Sequence, residues 1–162
     1  MPTKVKIIGV AVAVVAVVFL IMQLGKSDDE QQISALLDKL ETLGSKEANE
    51  TQIETLGTAR KLGFCFVEQP YLRVPHFSQA GTRQQLTGAM AGLRTQVIEA
   101  DVSISSRAIK VSEDGRTASV NFIGTADVKA RSGDEYSRQR YNMKLVKIDG
   151  DWLITEVTML ED

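Results

Sequence analysis

The stretch 7–24, IIGVAVAVVAVVFLIMQL, constrains this chain more than any other feature of its sequence. It contains 18 residues, and none of them is charged. An α-helix rises about 1.5 Å per residue, so the stretch would be roughly 27 Å long, enough to cross the hydrocarbon core of a bilayer. The remaining sequence could not bury a helix that is apolar on every side. We therefore predict a transmembrane anchor at 7–24, within an N-terminal segment 1–25, followed by a single domain at 26–162.

A cleaved signal peptide is the alternative interpretation, because it also begins with basic residues and an apolar run. Within the N-terminal segment, the only A-x-A motif is Ala11-Val12-Ala13, which lies inside the apolar core, where signal peptidase does not normally cut. The residues that follow Leu24, Gly25-Lys26-Ser27, form no A-x-A site, and no cysteine lies near the end of the run. These observations favour a permanent anchor.

The charges that flank the apolar run predict its orientation. Lys4 and Lys6 precede the run, whereas Lys26 alone follows it and is succeeded by acidic residues. The more basic side of a membrane span tends to remain in the cytoplasm. We predict a single-pass protein of a bacterial inner membrane, with its N-terminus in the cytoplasm and residues 26–162 in the periplasm.

The composition of the domain argues against several classes of partner. Residues 26–162 keep 17 of the 19 Lys and Arg and all 21 Asp and Glu, which gives a net charge of −4. Proteins that bind nucleic acid usually carry a basic excess, so no nucleic-acid partner is expected. One histidine and one cysteine cannot form a zinc site. We predict no metal and no cofactor, and we expect Cys65, between two phenylalanines, to be a small buried thiol.

Helical periodicity predicts three helices after the anchor. The first begins at a capping box formed by Ser27 and Glu30 and ends at Gly44. The second runs from Ser45 to about Leu62. The third begins at another capping box, Thr82 with Gln85. The apolar residues that repeat along these helices are expected to form their buried faces. They are Ile33, Leu36, Leu37, Leu40 and Leu43 in the first, Ile53, Leu56 and Ala59 in the second, and Leu86, Met90, Leu93 and Val97 in the third.

The remaining sequence reads as strands. Two prolines exclude a helix in the aromatic stretch 64–80, where short extended pieces at 64–67 and 71–74 fit better. From Ile98 onward, apolar residues alternate with polar ones, which is typical of half-buried strands. Three dipeptides predict the turns between these strands: Asp114-Gly115, Ser132-Gly133 and Asp149-Gly150.

The second of these turns predicts a strand register. If Ser132 and Gly133 are the two loop residues, one face of the hairpin becomes apolar and the other becomes charged or polar. The predicted inner pairs are Val120 with Leu145, Phe122 with Met143, and Gly124 with Tyr141. The predicted outer pairs are Asp127 with Arg138, and Asn121 with Lys144.

Three helices followed by a long antiparallel meander resemble the nuclear transport factor 2-like superfamily, also called SnoaL-like or cystatin-like. The residues that carry the resemblance are GTRQQL at 81–86 and KIDGDWLI at 147–154. The resemblance implies an α+β fold in which three helices pack on a strongly curved antiparallel sheet shaped like a cone. Members of the superfamily include ketosteroid isomerase-like and dehydratase enzymes, toxin-immunity proteins and membrane-anchored assembly factors, so the fold does not select a function.

The residues themselves supply candidates for a pocket but no catalytic motif. Isomerase-type members need a carboxylate base and a hydrogen-bond donor, and no residue-by-residue match carries such roles onto this chain. Gln139 and Tyr141 should point inward. Glu156 faces inward after a two-residue Asp149-Gly150 turn and outward after a bulged one. The candidate pocket residues are Tyr71, His76, Gln139, Tyr141 and Glu156.

Two functions remain open from the sequence. A permanent anchor suits a non-catalytic binding or assembly module that stays beside a membrane-complex partner, and this is the favoured interpretation. Arg138, Arg140 and Lys144 share the outer face of one strand, where they could meet an acidic partner. Pairing of two copies through the sheet is a further expectation. The alternative is a small-molecule enzyme of the ketosteroid isomerase or dehydratase type that uses the cone pocket.

Overall fold

The computed structural model of the protein describes residues 28–161. The predicted anchor at 7–24 and the helix cap at Ser27 lie outside these residues. Within residues 28–161, no helix is both long enough and apolar enough to cross a membrane.

Three helices and five strands form an α+β domain. The helices are α1 (Asp28–Gly44), α2 (Gln52–Gly63) and α3 (Arg83–Gln96). The strands are β1 (Phe66–Arg73), β2 (Val97–Val111), β3 (Thr117–Ala130), β4 (Gly133–Ile148) and β5 (Asp151–Leu160). They form one sheet in the order β1-β5-β4-β3-β2. The pairs β2–β3, β3–β4 and β4–β5 are antiparallel, but β1 lies parallel to β5. The sheet is therefore mixed, which corrects the prediction of an antiparallel sheet.

The core lies between the helices and the face of the sheet that we call the inner face. Ile33 and Leu37 of α1 are completely buried, and the rest of the predicted α1 stripe packs against the core as partly buried residues. From the sheet, the most deeply buried side chains are Val120, Leu145 and Ile154. The apolar stripe of α1 therefore packs into the core.

The structure corrects both the start and the buried face of α2. The helix begins at Gln52, because Thr51 and Glu54 form a reciprocal capping box with hydrogen bonds of 2.7 and 3.3 Å. Ile53 and Leu56, which were predicted to be buried, are 84% and 55% exposed. The buried residues are small ones, Thr55, Ala59 and Gly63.

Close packing between α2 and α3 explains this choice of face. A Cβ atom at Gly63 would lie 2.1 Å from the hydroxyl oxygen of Thr87, so any larger residue at this contact would displace the Thr87 side chain. Helices that approach closely require small residues, and the larger Ile53 and Leu56 therefore remain outside.

An ion pair clamps the loop between α1 and α2 to α3. The guanidinium group of Arg94 lies 2.8 Å from a carboxylate oxygen of Glu50, and both side chains are almost buried. It also donates to the carbonyl oxygens of Leu43 and Ser45, at 2.8 and 2.7 Å. Because these carbonyls and the carboxylate all accept hydrogen bonds from the guanidinium group, the burial of this charge is compensated.

The prediction of two extended pieces in the aromatic stretch was only partly correct. A single strand, β1, runs from Phe66 to Arg73, with an irregular register between Phe66 and Tyr71. After β1, residues 74–80 form consecutive turns.

The β3–β4 hairpin forms, but its register differs by two residues from the prediction. The loop residues are Arg131 and Ser132, and Ala130 pairs with Gly133, whose φ of 131° favours glycine. The observed inner pairs are Val120 with Met143, Phe122 with Tyr141, and Gly124 with Gln139. The observed outer pairs include Asn121 with Asn142, and Thr125 with Arg138. A shift of two residues leaves every side chain on its predicted face.

The other two hairpin turns form where the sequence predicts them. At Asp149-Gly150 both residues have positive φ, 50° and 85°, as a type I′ turn requires. At Asp114-Gly115 only the glycine has positive φ, 67°, and the loop spans residues 113–116, so this turn is not type I′.

Candidate ligand-binding cavity

A cavity of about 580 Å³ lies between the inner face of the sheet and the helices. Its floor consists of buried apolar side chains from four strands and α3. These floor residues are Phe66, Leu72, Leu86, Ile104, Phe122 and Met143. A cavity of this size, walled by hydrophobic and aromatic side chains, is typical of small-molecule sites.

The mouth of the cavity is polar, and β4 supplies most of it. Glu135, Ser137, Gln139 and Tyr141 lie at alternate positions of β4 and all line the cavity. Glu135 is exposed, and the other three are half-buried. Within residues 28–161, the side chains of Ser137, Gln139 and Tyr141 hydrogen-bond to no other residue, so their polar atoms are available to a ligand.

Tyr141 is placed by its neighbours on β3. Its ring stacks on that of Phe122, with centroids 5.4 Å apart and planes at 20°. A Cβ atom at Gly124 would lie 2.9 Å from the Tyr141 ring, so the ring keeps its position only because residue 124 is glycine. Burial raises the pKa of Tyr141, so its hydroxyl group stays protonated at neutral pH and can donate a hydrogen bond.

His76 lies at the edge of the mouth in a tight turn. The backbone N–H of Phe77 donates to the carbonyl of Val74 at 3.3 Å, with Pro75 and His76 at the centre of the turn. His76 has a φ of 69°, in the left-handed region that such a turn usually fills with glycine. Backbone strain of this kind clusters at functional sites. The imidazole is exposed and lines the cavity.

Solved structures share this architecture. An ntf2-like protein with a cystatin-like fold from Novosphingobium aromaticivorans matches with a TM-score of 0.63 and 14% identity, over 86% of each chain. A candidate calcium/calmodulin dependent protein kinase II association domain from Xanthomonas campestris matches with a TM-score of 0.61 and 18% identity, over 80% of this chain and 85% of that one. A candidate scytalone dehydratase from Novosphingobium aromaticivorans matches with a TM-score of 0.57 and 16% identity, over 80% of this chain and 78% of that one.

The fold is nuclear transport factor 2-like. The sequence matches no protein-family model and no curated protein. Because identities this low establish the fold alone, function has to be argued from the cavity.

Within this nuclear transport factor 2-like fold, three of the five predicted pocket residues come together. His76, Gln139 and Tyr141 line the cavity. Tyr71 is 57% exposed and lies outside the cavity lining. Glu156, its register partner across the parallel pair, lies outside the lining as well.

A β-bulge determines the direction of Glu156. The Asp149-Gly150 turn has two residues, which by itself would place Glu156 on the inner face. However, Leu145 pairs with Ile154 while the adjacent Lys144 pairs with Glu156, so Thr155 is an extra residue in β5. The bulge turns Glu156 to the outer face, where its carboxylate lies 3.3 Å from the ammonium group of Lys144.

The outer face carries the predicted partner residues. Arg138, Arg140 and Lys144 are all exposed there, on one side of β4. The predicted pair of Asp127 with Arg138 was wrong, because Asp127 lies opposite Tyr136. Lys144 pairs with Glu156 rather than with Asn121.

Two cavity residues were missed by the sequence analysis although a signal was present. Glu135 and Ser137 have the same strand parity as Gln139 and Tyr141, so extending the alternation by two more positions would have identified them. No cluster of His, Cys, Asp and Glu within residues 28–161 is arranged to hold a metal ion. Cys65 is 3% exposed, which confirms a buried thiol, and burial raises its pKa.

Proposed function

We propose that this domain is a non-catalytic binding module that holds an apolar small molecule in its cavity. The supporting observation is the combination of an apolar floor with half-buried polar groups at the mouth that have no partner among residues 28–161. Ligand sites combine these two features, because apolar walls supply affinity and a few polar groups fix orientation.

The distribution of carboxylates favours binding over catalysis. An isomerase or dehydratase needs a base within hydrogen-bond reach of the reacting carbon, in a site from which water is excluded. Glu156 points to the outer face, and the floor of the cavity is apolar. The only carboxylate among the lining residues that the structure describes is Glu135, which is exposed at the rim.

A pair of adjacent substitutions tests the proposal. Ala126 is half-buried and lines the cavity, whereas its neighbour Asp127 is exposed and belongs to the outer face. The full chain in lipid nanodiscs is titrated with N-phenyl-1-naphthylamine, a neutral apolar fluorophore. We expect saturable binding by the wild type and by Asp127→Trp, and loss of that binding in Ala126→Trp. Circular dichroism shows whether Ala126→Trp is folded. Equal fluorescence from all three folded proteins would refute the proposal.

One observation favours an enzyme as the second candidate. The Tyr141 hydroxyl can donate a hydrogen bond within the cavity, and Glu135 and His76 are titratable groups at the same mouth. A donor and a base are the two groups that enolate chemistry requires. In this case a ligand recovered from the protein would be converted on incubation, and both Tyr141→Phe and Glu135→Gln would stop the conversion. A ligand that is released unchanged supports the binding module.

Location and assembly complete the proposal. The domain is held at a bacterial inner membrane by residues 7–24 and faces the periplasm. Its outer sheet face, with Arg138, Arg140 and Lys144, contacts a second copy or an acidic membrane-complex protein.

Fusion of an alkaline phosphatase reporter after residue 162 tests the orientation, since alkaline phosphatase is active only in the periplasm. Crosslinking in intact membranes from a cysteine at Arg138 tests the outer face, with a cysteine at exposed Glu113 as the control.

A further inference from the structure

The charges around the cavity mouth are unevenly distributed. Among the lining residues that the structure describes there is one carboxylate, Glu135, and no lysine or arginine. The other polar groups that β4 contributes are neutral, namely the hydroxyls of Ser137 and Tyr141 and the amide of Gln139.

Strand alternation keeps three of the four basic residues of β4 away from this mouth, and the fourth, Lys147, pairs with Asp29 at the opposite end of the strand. Arg138 and Arg140 separate the inward-facing residues along the strand and are exposed on the outer face. Lys144 also lies on the outer face and pairs with Glu156. The most basic strand of the sheet therefore contributes no positive charge to the cavity.

An anionic ligand would find no lysine or arginine at this mouth. Its head group would leave water without a cation to pair with, and it would lie near the like charge of Glu135. Both effects weaken binding, because partly buried charges need a partner. A hydroxyl or carbonyl head group could instead exchange hydrogen bonds with Gln139 and Tyr141. An ammonium head group could pair with Glu135.

We infer that the cavity accepts apolar molecules with an uncharged or cationic head group and discriminates against carboxylates and other anions. This inference rests on the proposed binding function and names the ligand class of the same cavity.

A matched set of twelve-carbon amphiphiles tests this selectivity. Dodecanol, dodecylammonium and dodecanoate compete with N-phenyl-1-naphthylamine for the full chain in zwitterionic nanodiscs at pH 7.5, below their micellar concentrations. The signal from Ala126→Trp is subtracted to remove partition into lipid. We expect dodecanol and dodecylammonium to displace the probe at concentrations at least about tenfold lower than dodecanoate.

Single substitutions test whether Glu135 causes this selectivity. Glu135→Gln should improve displacement by dodecanoate and abolish any advantage of dodecylammonium over dodecanol. Asp134→Asn is the control, because Asp134 is an exposed neighbour outside the cavity lining and the change in net charge is the same. His76→Gln should not reduce the preference for dodecanol over dodecanoate, because that preference does not depend on the histidine.

Different failures have different meanings. If dodecanoate competes as well as dodecanol, or if Glu135→Gln and Asp134→Asn behave alike, the inferred selectivity is wrong while the binding function stands. If the probe does not bind in the cavity at all, the proposed function itself is wrong.

Discussion

The two ends of the β3–β4–β5 sheet serve different purposes. At one end, Leu145, Trp152 and Ile154 are buried in the core cluster that also contains Ile33 and Leu37 of α1. At the other end, Gln139 and Tyr141 on the same strand β4 are only half-buried and line an open cavity. One strand therefore contributes both to the packed core and to the candidate site, four to six residues apart.

Polar groups show the same contrast. At the packed end, the carboxylate of Asp29 accepts hydrogen bonds from Lys147 at 2.6 Å and from the indole N–H of Trp152 at 3.2 Å. At the open end, the side chains of Ser137, Gln139 and Tyr141 have no partner within residues 28–161. The packed end therefore provides the stability that allows the other end to keep a cavity with available polar groups.

The largest expected effect comes from the packed end. Leu145→Ala removes a buried side chain from a close-packed region and should lower the free energy of unfolding by about 2–5 kcal/mol. Gln139→Ala, on the same face of the same strand, should change it by less than about 0.5 kcal/mol, because that side chain faces the cavity. Urea unfolding of the two variants measures both values. Equal losses would contradict the division between the two ends.

The next effect concerns the space that Gly124 leaves for Tyr141. Gly124→Ala should cost about 1–3 kcal/mol, because the new methyl group would overlap the Tyr141 ring. Gly92→Ala on α3 is the matched control, since nothing lies within 4 Å of the added Cβ atom. That control should stabilise the protein by roughly 0.5–1 kcal/mol, as expected for glycine within a helix. Thermal unfolding followed by circular dichroism shows whether each substitution raises or lowers the stability. If Gly124→Ala left the stability unchanged, the Tyr141 ring would not be confined by residue 124.

A smaller effect is expected at the Tyr141 hydroxyl. Tyr141→Phe keeps the stacked ring but removes the donor, so the affinity for dodecanol should fall by about 0.5–1.5 kcal/mol. The free energy of unfolding should remain nearly unchanged, because the hydroxyl has no partner among residues 28–161. Competition binding and urea unfolding of one preparation separate the two quantities. If Tyr141→Phe lowered stability but not affinity, the hydroxyl of Tyr141 would contribute to the core and not to the binding site.

The smallest effect is a dependence on pH at the packed end. The hydrogen bond from Lys147 lowers the pKa of Asp29 below its ordinary value of 3.8. The ionised carboxylate therefore stabilises the folded protein above that ordinary value, and this contribution disappears as pH falls through the lowered pKa. Asp29→Asn should be less stable than the wild type at pH 7, with a difference that shrinks towards pH 2. A difference that does not change with pH would exclude ionisation of Asp29 as its cause.

Periodicity in the sequence predicted which face each strand residue lies on better than it predicted which residues pair across the strands. Phe122 and Tyr141 were assigned to the inner face, although the predicted pairing was displaced by two residues. The displacement arose because Gly133 was expected within the loop. In the structure Gly133 has a positive φ, but it belongs to the first strand pair after the loop. Faces depend only on alternation, while register depends on the conformation of one or two turn residues.

Irregularities could not be predicted in the same way. The bulge at Thr155 reverses the direction of Glu156, and no pattern in the sequence of β5 marks the extra residue. The parallel edge pair β1–β5 joins distant parts of the chain, so local periodicity does not reveal it. The start of α2 was different, because the Thr51–Glu54 capping box is visible in the sequence and was overlooked.

Native mass spectrometry of the full chain, released gently from its own membrane, shows whether the cavity holds a ligand. We expect the wild type and Asp127→Trp each to carry one apolar small molecule, uncharged or basic, that is recovered chemically unchanged. We also expect folded Ala126→Trp to carry none. A cavity that is empty in all three proteins, or the same molecule bound equally to Ala126→Trp, would contradict the claim that the open end of this fold is a binding site.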